Sequence, residues 1–151
     1  MQPNTDKRYF SWHTNVIAVL YDLAPKEKQI QIMETILNDM TLINPQPYFM
    51  HFVLEAIYKT DLFEKYGIQQ LRRWRVMTDF EKGLQEGWYD MSGYGFDYSH
   101  VWAGTPTYQL PSKLSGLQIL EPGFKKISLK PALYGLEFAE MEIPTPYGKI
   151  E

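Results

Sequence analysis

Apolar positions recur three and four residues apart through the first half of the chain, and that spacing predicts helices. In TNVIAVLYDLA (14–24), Val16, Ile17, Leu20 and Leu23 share one helical face, and Thr14 or Asn15 is placed to cap it. Pro25 follows at a position where a second helix can begin, because a first-turn residue needs no N–H. The stripe of that second helix, PKEKQIQIMETILNDM, is Ile30, Met33, Ile36, Leu37 and Met40. Two helices joined by so short a link make an antiparallel hairpin.

The next pair repeats the plan without repeating the sequence. NPQPYFMHFVLEAIYKT (44–60) is apolar on nearly every side, with Phe49, Met50, Phe52, Val53, Leu54, Ala56 and Ile57, and is expected to be buried all round. Residues 61–83 carry a narrower stripe of Leu62, Phe63, Tyr66, Leu71, Trp74 and Met77, with Asp61 as a candidate cap. The arginines of QQLRRWR (69–75) are expected on its wet face. Segment 105–117 predicts a short helix that Pro111 either kinks or begins.

The period then changes. FKKISLKP (124–131) alternates Phe124, Ile127 and Leu129, and LEFAEMEIPTPYGKIE (136–151) alternates Leu136, Phe138, Met141 and Ile143 before the turn signal PTPYG. The predicted class is mainly α with C-terminal antiparallel β strands. Strands placed so late, with no partner sheet in view, give the sequence the look of a piece: the last hairpins of a helical domain (1–120), then the opening strands of a β domain (121–151).

Composition narrows the function classes. The net charge of −3 supplies no basic field for nucleic acid, and the absence of cysteine excludes disulfides and thiolate metal sites. No apolar run approaches the roughly 20 residues of a membrane span, and the first residues lack a signal-peptide pattern. The compartment stays open. The three histidines fall into no metal-ligand spacing, and no Walker, GxSxG or GxGxxG motif is present. No cofactor is expected. Aromatic residues are high at 15%, with 11 Tyr and 4 Trp.

Many of those aromatics crowd GLQEGWYDMSGYGFDYSHVW (83–102), which has no helical period and carries Glu86, Asp90, Asp97 and His100. A lone glutamate is usually a solvated surface group. Glu86, however, sits between glycines with Trp88, Tyr89, Tyr94, Phe96, Tyr98 and Trp102 close in sequence. A carboxylate desolvated by rings becomes a stronger proton acceptor and suits acid–base work. Glycosidases pair such carboxylates with aromatic platforms, and in inverting enzymes the two stand about 6.5–9.5 Å apart around a water. His100 is read either as a hydroxyl-orienting group or as a histidine bonded to backbone. His13 and His51 are read as structural.

Several stretches also carry a family pattern. SWHTNVIAVLYDLAP (11–25) and PYFMHFVLEAIYKT (47–60) resemble helices of bacterial α-L-rhamnosidases and related six-hairpin glycosidases. SHVWAGTPTYQLPSKLSGLQILEPGFKKISLKP (99–131) resembles that family's helix and EPGFK segment, and PTPYGKI (144–150) its following strand turn. The resemblance implies the end of an (α/α)6 toroid, then the first strands of a β-sandwich. By the same resemblance Glu86 is the general base of an inverting hydrolase, and Trp88, His100 and Trp102 bind the sugar. Gln85 stands where that family has an aromatic. The family's general acid belongs to an earlier barrel loop, so these residues alone are expected to be inactive.

The implied ligand is a rhamnose-containing glycan, the implied partner is the earlier part of the barrel, and the implied source is a bacterial periplasm or cytoplasm. A partial toroid leaves inner helices uncovered and is expected to self-associate. Three other readings stand beside the enzyme: a glycan-binding or scaffold module without chemistry, a six-hairpin hydrolase of another sugar such as an unsaturated glucuronyl hydrolase, and a small α+β domain with a packed surface loop.

Overall fold

A computed structural model describes residues 10–78, 83–88 and 99–151. The described chain is mainly helical, with two small antiparallel sheets near the C-terminus. It divides into two compact units, residues 1–105 and 106–151.

In the first unit, α1 (Trp12–Leu20) and α2 (Lys26–Asn38) form the expected hairpin, and α1 also packs on α3 (Met50–Lys59). Three departures from the sequence reading share one cause, the way α1 starts and stops. Its buried face is Trp12, Val16 and Val19, and its N-cap is Ser11. Neither Thr14 nor Asn15 caps it; Asn15 instead donates from Nδ2 to the Ser11 carbonyl at 3.0 Å. Leu23, expected on the apolar face, is 74% exposed because the helix has already ended. Asp22 takes a left-handed conformation (φ 54°), and the Leu23 N–H folds back to the Ala18 carbonyl at 2.9 Å, the arrangement that closes a helix C-terminus.

Lys59 secures that end from α3. Its ammonium donates to the carbonyls of Val19 and Leu20, both at 2.9 Å, and to Asp22 Oδ1 at 2.7 Å. Gln29 of α2, itself buried, donates to the same carboxylate and to the Ala24 carbonyl. Lys59 first, then Gln29, holds the Asp22 carboxyl below its ordinary range. In α2, Pro25 takes the N-cap position, and Met33, Ile36 and Leu37 are buried; Ile30 and Met40 lie exposed, off the contact face.

α3 follows a 3-10 turn, Pro47–Phe49, and buries Met50, Val53, Leu54, Ala56 and Ile57. Phe49 and Phe52 are only half-buried. Asp61 is not a cap for the next helix. It is the left-handed residue (φ 58°) closing α3, with the Leu62 N–H returning to the Ile57 carbonyl at 2.9 Å.

The continuous helix expected over 61–83 is broken into turns of different pitch. A π turn (Phe63–Gly67) leads to α4 (Ile68–Leu71), a 3-10 turn (Arg72–Trp74) and α5 (Arg75–Thr78), after which 79–82 lie outside the described residues. The expected stripe survives the change of pitch: Phe63, Tyr66, Leu71, Trp74 and Met77 are all buried. At the π turn the Phe63 ring lies over Gly67, where a Cβ would stand 2.5 Å from ring carbons. The Tyr66 hydroxyl accepts from Asn38 at 2.9 Å, and Lys65 pairs with Glu34 at 2.7 Å, so α2 covers this turn.

The second unit begins with α6 (Pro106–Ser115), which starts at Pro106 and carries Pro111 internally. Gly116 closes it with φ 57°, so near the Lys130 carbonyl that a Cβ would come within 2.1 Å of the oxygen. β1 (Gln118–Glu121) pairs antiparallel with β2 (Lys126–Ser128), and β3 (Ile143–Thr145) with β4 (Gly148–Ile150). β1 was not expected, and the strand expected over 124–131 shortens to β2. The alternation over 136–142 forms no strand; only Ile143 onward pairs. The PTPYG turn forms as expected, with Thr145 Oγ1 accepting the Tyr147 N–H at 3.1 Å and donating to the Gly148 carbonyl at 2.6 Å.

Gly67→Ala is expected to lower stability by about 1–3 kcal/mol, since overpacking the Phe63 ring outweighs the roughly 1 kcal/mol of helix propensity gained. Thermal denaturation followed by circular dichroism measures it; an unchanged midpoint would mean the ring moves aside at no cost. A second expectation concerns His13, which lies 4.3 Å from the Phe49 ring and whose pKa burial lowers from 6.5. A depressed histidine contributes stability that is complete above the unfolded value and is lost as pH falls through it towards the folded one. Urea midpoints taken from about pH 7.5 down to about pH 5 should therefore fall more steeply for the native chain than for His13→Gln.

Candidate functional site

Three irregular segments of the first unit converge: the approach to α3 (45–52), the segment 83–88, and residues 99–105. Short backbone links join the last two. Leu84 and Ser99 form a parallel bridge, and the His100 N–H donates to the Leu84 carbonyl at 2.9 Å. Glu86 and His100 are thus carried on paired strands of chain, although 14 positions separate them in sequence.

Trp88 fixes the segment that carries Glu86. It is only 6% exposed. Its indole N–H donates to the Pro45 carbonyl at 2.8 Å, and its backbone N–H donates to Gln46 Oε1 at 3.1 Å. The Arg73 guanidinium lies over its ring at 4.6 Å, and Trp74 meets it edge-on at 4.8 Å and 85°. Arg73 was expected on a wet face with Arg72 and Arg75; those two are exposed, whereas Arg73 is stacked. Trp74 in turn donates from its indole to the Ala103 carbonyl at 2.7 Å. One pair of tryptophans therefore ties all three segments to the helical core.

Glu86 is exposed, between buried Gln85 and, one residue further on, Trp88. The desolvation expected of it is not seen at this position. Asp90, Asp97, Tyr89, Tyr94, Phe96 and Tyr98, which the sequence reading grouped with it, lie outside the described residues. Trp102 is on the 3-10 turn Val101–Gly104 and is 61% exposed. The His100 imidazole meets its ring at 5.3 Å and 80°. His51 bonds through Nδ1 to Thr105 Oγ1 at 3.0 Å, in keeping with the structural role read for it.

The arrangement presents an aromatic face, an imidazole and a carboxylate on adjoining segments, a mixture suited to a ligand with both apolar C–H faces and hydroxyls. Among the described residues no group of three His, Asp or Glu is placed to hold a metal ion. Sequence reasoning missed Tyr48, whose ring lies 4.5 Å from Trp102, and the clamp of Gln46 and Arg73 on Trp88. The one available signal was that RRWR places a tryptophan of the buried stripe beside Arg73.

Residues 116–151 match the family model of the bacterial alpha-L-rhamnosidase C-terminal domain. The matched stretch contains all four strands of the second unit and none of the three segments just described. No curated protein matches the chain.

Trp88→Ala is expected to destabilise the first unit by about 3–5 kcal/mol and to remove amide protection from residues 84–88. Trp88→Phe keeps the ring and loses only the indole bond, for about 1 kcal/mol. Hydrogen exchange on both variants separates the anchor from simple bulk; equal protection in all three proteins would mean the segment is held elsewhere.

Proposed function

We propose that the chain is the C-terminal part of a glycoside hydrolase of α-L-rhamnosidase type. In this reading residues 1–120 are closing hairpins of an (α/α)6 barrel and 121–151 open a β-sandwich. The observation that carries the proposal is the match of residues 116–151 to the rhamnosidase C-terminal domain. The rim-like convergence of an exposed Trp102, His100 and Glu86 adds support.

Glu86 takes a proton from the attacking water as general base, and inversion follows from attack on the face opposite the leaving group. Trp102 receives the apolar face of the sugar, and His100 orients a hydroxyl. Trp88, read from the sequence as a sugar contact, acts from behind in this proposal: with its ring occupied by Arg73 and Trp74, it holds the Glu86 segment at its proper height. The general acid belongs to another part of the polypeptide, so these 151 residues bind without turnover. The exposed apolar side chains Tyr21, Leu23, Ile30 and Met40 support self-association of the isolated chain.

A second reading, glycan binding without chemistry, draws on the exposure of Glu86, whose carboxylate meets water instead of an apolar pocket. One substitution separates the two. In the natural polypeptide bearing these residues, Glu86→Gln should lower kcat on an aryl α-L-rhamnoside by about 10²–10⁴-fold with KM nearly unchanged. A binding module has no turnover to lose. Clear turnover by residues 1–151 alone would overturn the assignment of acid and base to different parts of the polypeptide.

A further inference from the structure

Trp102 sits on a short turn with most of its side chain in water, a setting in which an indole samples several rotamers. Two neighbours limit it. The Tyr48 ring lies against one face at 4.5 Å with a 36° tilt, and the His100 ring meets it at 5.3 Å and 80°.

Tyr48 is itself held. It belongs to the 3-10 turn Pro47–Phe49, begun by a buried proline that presets the backbone. One turn further along, Phe52 meets it edge-on at 6.1 Å and 85°. Phe52 contacts His51 at 5.4 Å, and His51 bonds to Thr105 at 3.0 Å, three residues beyond Trp102. The contacts close a ring: Trp102, Tyr48, Phe52, His51, Thr105 and back to the turn that carries Trp102. Tyr48 is 46% exposed, far more than its buried neighbours Pro47 and Met50, so core packing does not account for a large ring at this position.

We infer that Tyr48 is a positioning residue for ligand binding: it backs the Trp102 indole so that the opposite face is presented, already oriented, to the C–H face of a pyranoside. The inference rests on the glycoside reading and adds to it a residue outside the 83–102 stretch. Fixing the ring beforehand removes an ordering penalty that binding would otherwise carry.

The test is a titration of the 151-residue chain with methyl α-L-rhamnoside, followed by calorimetry, with iodide quenching of tryptophan fluorescence as a second readout. Trp12, Trp74 and Trp88 are buried, so iodide reports on Trp102. Tyr48→Ala and Tyr48→Leu should each raise Kd about three- to tenfold, the range that an aromatic pair converts to. Both should also make Trp102 easier to quench, and Tyr48→Phe should restore both properties. Leu keeps bulk without the ring, so a general loss of packing is separated from loss of the stack. Native Kd and quenching in Tyr48→Leu, with binding abolished in Trp102→Ala, would overturn the role of Tyr48 and leave the glycoside reading standing. Absence of binding by the native chain would remove the glycoside reading and this inference together.

Discussion

The candidate site depends on one buried contact, the edge-on packing of Trp74 against Trp88. Neither ring belongs to the exposed surface, yet their two indole N–H groups reach the Ala103 and Pro45 carbonyls, one on each of the segments that flank the site. A tryptophan buries a large apolar area and still requires a partner for its N–H. Here that requirement is met by backbone carbonyls of irregular chain, which would otherwise need water. The same two bonds satisfy the rings and fix the loops. Arg73 completes the arrangement, because a guanidinium stacks on an indole face while keeping its own donors available.

A second constraint operates at the helix ends. Asp22, Asp61 and Gly116 all take left-handed conformations directly after a helix, and each reverses the chain within a few residues. Glycine adopts that geometry without strain, and aspartate tolerates it better than most residues. At Gly116 the Lys130 carbonyl excludes any side chain. At Asp22 the side chain has work of its own, since Lys59 and Gln29 both bond to it and so link the ends of three helices. Short links therefore suffice between helices that are long enough to bury a face.

These constraints explain what was legible in the sequence. The stripes of α2 and α3 could be read because buried contact imposes a 3.6-residue period, and Met33, Ile36, Leu37, Val53 and Leu54 keep it. Leu23 deceived because the period runs one turn past the backbone reversal at Asp22. The β1 strand could not be read, since Gln118–Glu121 is exposed at every position and a ribbon with no buried face has no alternation to show. The regular spacing over 136–142 shows the converse: alternation without a pairing partner makes no strand. Of the site, Glu86, His100 and Trp102 emerged because they share one crowded stretch, while Tyr48 and Gln46 lie about 40 to 55 positions away and meet it only through folding. Arg73 was read by its charge, whereas its plane decides where it goes.

The broken helix from Phe63 to Thr78 sets the angular phase of the site. A π turn closes i→i+5 bonds and so holds one residue more than an α turn would. Each residue of a helix advances the direction of its side chain by about 100°. Losing a single residue between Phe63 and Gly67 would restore a regular helix and rotate everything after it by about that angle. Arg73 and Trp74 would then face away from Trp88 and Ala103, with no change to any residue that meets the ligand-facing surface. The chain length of that one turn is a register setting, and insertions or deletions there would be felt at Trp102 and Glu86 before they were felt in the hydrophobic core.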